Sequence, residues 1–122
     1  MPNRYTIALV DDDEGVRSSL ASLLRSLGYD VRGYASASQF LSDPTARDPG
    51  CMITDMQMPG MTGDELQATL LAAGRRFPMI FMTAFPKEEA RARVMAAGAV
   101  AYLEKPADSD AIVRCLESVF HA

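Results

Sequence analysis

Ile7-Ala8-Leu9-Val10-Asp11-Asp12-Asp13-Glu14 decides the fold: an apolar run ends abruptly in four acids. Three later runs end in the same manner. Cys51-Met52-Ile53-Thr54 is followed by Asp55, Met79-Ile80-Phe81-Met82 by Thr83, and Val100-Ala101-Tyr102-Leu103-Glu104 by Lys105. Strands this short and this apolar are covered by helices on both faces, as in a parallel α/β sheet. Ligands of such sheets bind beyond the carboxyl ends of the strands. Side by side, the four strands would bring three carboxylates, a hydroxyl and an ammonium into one cleft. That set suits a divalent cation together with a phosphoryl group.

Working outward, apolar runs alternate with helical patterns five times. The first strand is Thr6–Val10, and the first helix spans 14–27, with Val16, Leu20, Leu23, Leu24 and Leu27 on one face and Gly28 as its stop. A short polar strand at Asp30–Tyr34 has the character of a sheet edge. A brief helix at Ala37–Leu41 leads into a loop over 43–50, which holds two prolines. The pattern continues with strands at 51–54, 79–82 and 99–103 and helices at 63–73, 87–97 and 107–120. Short strand–helix connections imply right-handed crossovers. With the polar second strand at an edge, the order becomes 2-1-3-4-5. The expected fold is therefore a flavodoxin-like doubly wound five-stranded parallel sheet with five helices. Its switch point lies between strands one and three, beside Asp11, Asp12 and Asp55.

The 122 residues make one domain, 1–122, and 48% hydrophobic residues supply its core. A net charge of -4 argues against direct nucleic-acid binding. No run approaches the ~20 apolar residues of a membrane span, and the first run is too short for a signal peptide. Cys51 and Cys115 lack metal or redox spacing and read as reduced, structural, cytoplasmic cysteines. Eight Met without Trp fit a Met-padded core, with a Met-rich recognition surface as the alternative.

Each candidate has an ordinary explanation. Acids at 11–14 favour a helix start by capping and by the macrodipole, which accounts for one or two of them but not for four in a row. Asp55 is harder to explain in that way, because Met56-Gln57-Met58-Pro59-Gly60 separates it from the next helix. Proline and glycine force a turn there, and Gly63 supplies close packing or a permissive backbone angle. Thr83 alone is a common strand end. Lys105 would ordinarily snorkel to the surface, but Pro106 follows it, and that turn is able to aim the ammonium back over the sheet edge.

Three clustered carboxylates are not cheaply ionised together without a cation, and Mg2+ is the expected hard partner for oxygen ligands. An ionised Asp is also a nucleophile toward phosphorus. Lys105 and the metal would offset charge on the phosphoryl oxygens, and Thr83 would donate a hydrogen bond to them. Gln57 and Phe85 stand two residues beyond Asp55 and Thr83, so they flank the cleft and are expected to tune phosphoryl lifetime. The alternative for Phe85 is packing against the fourth helix.

Val10-Asp11-Asp12, Asp55 with Met58-Pro59-Gly60 and Gly63, Thr83-Ala84 and Lys105-Pro106 together resemble the response-regulator receiver domains of two-component signalling. The chain looks closest to receivers of nitrogen-fixation-type transcriptional regulators. The resemblance covers nearly the whole chain. It implies that Asp55 accepts a phosphoryl group from a sensor histidine kinase or phosphotransfer protein. It implies Mg2+ held by Asp12, Asp55 and the backbone carbonyl of Gln57, with Asp11 acting through water. Tyr102 matches the switching aromatic that follows Thr83, with a core-edge tyrosine as the alternative. The implied output surface is helix four, strand five and helix five, serving a phosphorylation-dependent homodimer or a DNA-binding domain beyond Ala122. Such a chain catalyses its own phosphorylation and dephosphorylation but turns over no external substrate. Ala107 departs from the phenylalanine that many members carry there, and Asp13 receives no role.

Three rivals are weaker. A Mg2+-dependent aspartyl-phosphate phosphatase fits Asp11-x-Asp13, but Gly15 stands where its Thr or Val is expected. A flavodoxin-like cofactor binder needs a phosphate loop after strand one, and here that loop is acidic. A degenerate receiver acting as a scaffold would lack one of the five expected positions, and all are present.

Overall fold

In the computed structural model, residues 5–45 and 47–121 are described. The elements run β1 (Thr6–Val10), α1 (Glu14–Ser26), β2 (Asp30–Tyr34), α2 (Ala37–Leu41), β3 (Cys51–Asp55), α3 (Gly63–Ala72), β4 (Met79–Thr83), α4 (Glu88–Ala96), β5 (Ala101–Glu104) and α5 (Ser109–Phe120). All strand pairs are parallel, in the order β2-β1-β3-β4-β5. The expected flavodoxin-like architecture is the one found.

Alternation along the strands splits the core into two layers. Ile7, Leu9, Ile53, Ile80 and Met82 pack with Leu20, Ala21 and Leu24 of α1 and Ile112 and Leu116 of α5. Ala8, Val10, Met52, Phe81 and Met79 face the other way, toward Phe40, Leu66, Leu70 and Val94 of α2, α3 and α4. Met52, Met56, Met58, Met79 and Met82 are all buried, so these methionines are core padding and not a recognition surface. Cys51 is a free, buried core residue. β2 is exposed at three of its five positions, as its place at the edge requires.

The strand and helix ends shift slightly from the expected bounds, each for a local reason. β3 and β4 each gain a residue and so include Asp55 and Thr83. β5 starts later, at Ala101, because the Ala99 N–H is spent on the C-terminus of α4, donating to Val94 O at 3.0 Å. α5 starts at Ser109, since the Asp108 side chain caps it by accepting the Asp110 N–H at 3.1 Å. Among the described residues, no helix is long and apolar enough to cross a membrane.

Candidate functional site

The ends of β1, β3, β4 and β5 form one cleft because parallel register carries them to the same sheet edge. Val10 pairs with Thr54, Asp55 with Met82 and Thr83 with Glu104. The residues that follow each strand therefore emerge side by side. Backbone bonds extend the ladder past the strands, from Met56 N–H to Met82 O at 2.8 Å and from Lys105 N–H to Thr83 O at 2.7 Å. Asp11, Asp12, Asp55, Thr83 and Lys105 are thereby set on a rigid support.

Three of these residues are acids. One carboxylate oxygen from each of Asp11, Asp12 and Asp55 lies within 4.8 Å of the others. Asp11 is 1% exposed and Asp55 6%, while Asp12 is open to solvent. Lys105 supplies the opposing charge: its Nζ lies 2.9 Å from Oδ2 of Asp11 and 2.9 Å from Oδ2 of Asp55. The Lys105–Pro106 peptide is cis. Burial pushes the Asp55 carboxyl upward; the Lys105 ammonium and the Gln57 N–H pull it down, and the net shift is upward. Burial alone would lower Lys105, but the two carboxylates outweigh it and raise its pKa.

The cluster suits a hard divalent cation. Oδ2 of Asp11 is buried and has no aligned hydrogen-bond donor; its neighbour is the Lys105 charge. All donors on offer are oxygens, as Mg2+ prefers. Asp11 Oδ1 is already used, accepting the Asp13 N–H at 2.9 Å, so Oδ2 is the atom left for a cation or its water. Asp13 belongs elsewhere: it is the N-cap of α1, its side chain accepting the Val16 N–H at 3.0 Å.

The β3–α3 loop holds Asp55 in place from behind. Gly60 has φ +80°, which the turn after Pro59 requires. Gly63 answers a different need, close packing. A Cβ there would overlap the Asp55 carbonyl oxygen and lie 3.1 Å from Cα of Met56. The Gly63 N–H instead donates to Met56 O at 3.0 Å, which seats α3 directly beneath Asp55.

Thr83 is fully buried, and its hydroxyl lies 2.6 Å from Oε1 of Gln57. The Phe85 N–H donates to the same hydroxyl at 3.0 Å. Tyr102 is half-buried and accepts the Lys87 N–H on its hydroxyl at 3.1 Å, at the start of α4. Phe85 is 68% exposed, so the alternative in which its ring packs against α4 does not hold. Sequence reasoning missed Arg17, whose Nη1 donates to the Asp11 carbonyl at 2.6 Å and pins the acidic turn to α1. A lone arginine on the first turns of a helix carries no motif; only the fold shows that it faces the backbone of Asp11.

A doubly wound parallel sheet with an acidic triad, a buried hydroxyl and a lysine gathered at the carboxyl ends of its strands places the chain in the flavodoxin-like class of α/β domains. Residues 7–117 match the family model for the response regulator receiver domain, and the chain belongs to that family. It is 39% identical over 118 residues to the transcriptional regulatory protein FixJ of Azorhizobium caulinodans, covering 97% of this chain and 56% of that protein. It is 36% identical over 104 residues to the transcriptional regulatory protein TdiR of Thauera aromatica, covering 85% and 46%. The chain thus spans about half the length of these curated relatives. Among solved structures, FixJ-N superposes with a TM-score of 0.84 at 37% identity, covering 98% of this chain and 94% of that one.

Proposed function

We propose that Asp55 takes a phosphoryl group from a phosphohistidine of a sensor kinase or phosphotransfer protein, and that this switches the surface of α4, β5 and α5. The observation that carries the reading is the geometry around Asp55: a nearly buried carboxylate with an ammonium at 2.9 Å and two further acids beside it. In the transfer, a carboxylate oxygen of Asp55 attacks phosphorus, the P–N bond to histidine breaks, and the imidazole leaves with the electron pair. Lys105 moves its charge from the carboxylates onto a phosphoryl oxygen, and Thr83 donates to another. Asp12, Asp55 and the Gln57 carbonyl would hold Mg2+, with Asp11 acting through water. The bound ion would neutralise charge that builds on the phosphoryl oxygens. Water reaching the acyl phosphate later hydrolyses it, and Gln57 and Phe85, on opposite loops, set that rate.

The route outward is short. Val94 is the one fully buried side chain among the described residues of α4; Ala90 and Met95 pack half-buried against the core, Gln67 Nε2 donates to Val94 O at 3.1 Å, and Arg93 pairs with Asp64 at 2.9 Å. A helix that buries a single side chain completely is less costly to move than the helices that bury three or four. The outcome would be a phosphorylation-dependent homodimer or control of a DNA-binding output domain following residues 1–122, within the cytoplasm.

Phosphoramidate with Mg2+ should add one phosphoryl group to the wild-type chain and none to Asp55→Asn. Undiminished labelling of that variant would remove Asp55 from the role.

A further inference from the structure

We infer that Gln57 holds the resting state by occupying the Thr83 hydroxyl, and that switching requires this bond to break; the inference rests on Asp55 being the phosphoacceptor proposed above. A hydroxyl has one proton. In Thr83 it is given to Oε1 of Gln57, 2.6 Å away, while the oxygen accepts the Phe85 N–H at 3.0 Å. Thr83 is fully buried, so water offers no substitute partner. The same proton is the one a phosphoryl oxygen on Asp55 would need. Donation to the phosphoryl group and donation to Gln57 therefore exclude each other.

Gln57 is well placed to act as this latch. Its own N–H donates to Oδ1 of Asp55 at 3.1 Å, which fixes its backbone at the cleft, and its side chain then reaches across to β4. The loop beyond Thr83 is tied at both ends. The Phe85 N–H rests on the Thr83 hydroxyl, and the Lys87 N–H donates to the Tyr102 hydroxyl at 3.1 Å. Rotating the hydroxyl away from Gln57 thus disturbs one end of a loop whose other end holds Tyr102. Gln57 is a positioning residue here, since it acts on phosphoryl binding through Thr83.

The test uses beryllofluoride, a non-covalent phosphoryl mimic, with Mg2+. Gln57→Met keeps the side-chain length, removes the acceptor and leaves the backbone carbonyl in place. The resting bond no longer has to be broken, so the midpoint of beryllofluoride binding should fall by about two- to twelvefold, the range of one net hydrogen bond. The titration is run at saturating Mg2+ for each variant, so that its midpoint reports beryllofluoride alone. In a Thr83→Ala background the same substitution should give no gain. An unmoved midpoint in Gln57→Met would overturn the latch, and so would an equal gain in the Thr83→Ala background, because the amide would then act by bulk alone. If the wild-type chain takes up no beryllofluoride, the phosphoacceptor reading fails first and the latch fails with it.

Discussion

Replacing Lys105 with methionine should weaken the fold and, at the same time, tighten Mg2+. The Lys105 ammonium stands 2.9 Å from carboxylate oxygens of both Asp11 and Asp55. At an effective dielectric of about 20, each contact is worth roughly 6 kcal/mol before desolvation is subtracted. Removing one partner of a buried ion pair costs about 3–5 kcal/mol. Here the net loss should be about 2–3 kcal/mol, since Lys105 keeps 16% exposure and a stranded carboxylate can take a proton. For a domain of this size that lowers the melting temperature by roughly 10 °C. The metal feels the opposite effect, because in the resting chain the ammonium occupies the carboxylates that a cation needs. If half of the lost energy returns when Mg2+ supplies the missing charge, affinity rises about tenfold. Calorimetric Mg2+ titration, with thermal melts in its presence and absence, measures both arms. Unchanged or weaker Mg2+ binding in Lys105→Met would refute the competition, as would a melting temperature that Mg2+ fails to restore. The variant should also take up phosphate without switching its output surface, since the ammonium is no longer there to restrain the phosphoryl oxygens.

Gly63→Ala should cost about 1–3 kcal/mol, the usual range for overpacking, because the new methyl meets the backbone of Asp55 and Met56, which cannot swing aside as a side chain would. Denaturant melts would measure this, and wild-type stability would mean that α3 has room to retreat. Burial, with a smaller contribution from Cys115, pushes the Cys51 thiol up to about 12, so at pH 8 only on the order of one molecule in ten thousand is thiolate. Alkylation with mass-spectrometric readout should modify half-buried Cys115 first and Cys51 only on unfolding; early labelling of Cys51 would contradict its place in the core. Burial would raise the Asp64 pKa, but the Thr62 hydroxyl and Arg93 outweigh it and hold the carboxyl below its ordinary 3.8. Its contribution to stability is therefore complete above that value and lost as pH falls through the lowered one. Asp64→Asn should flatten the acid limb of the stability curve, and an unaltered limb would show the pairing to be inconsequential.

β1, β3 and β4 were legible because burial on both faces selects apolar side chains, so each stands out as an apolar run with its functional residue at its end. The polar character of Asp30–Tyr34 alone marked the edge and so fixed the remaining order. The principal acids were legible for the same reason, since a charge at the end of a buried strand has nowhere to go but the sheet edge, whereas Lys105, behind the half-buried β5, was marked by the proline that follows it. Other features depend on distances that no spacing encodes. Arg17 reaches the Asp11 carbonyl only because α1 packs back along β1. The Gln57–Thr83 bond joins residues 26 positions apart, and it exists only because β3 and β4 are neighbours. Gly63 was open to two readings, a permissive angle or close packing, and the nearby Asp55 carbonyl decides for packing.

The central claim is that Asp55 itself carries the phosphoryl group. After phosphoramidate and Mg2+ treatment, borohydride reduction turns an acyl phosphate on aspartate into homoserine, and peptide sequencing by mass spectrometry locates it. Homoserine should appear at position 55 and nowhere else, and only when Mg2+ was present. Homoserine at position 11, 12 or 13 in place of 55, or none at all despite a folded chain that binds Mg2+, would contradict the account.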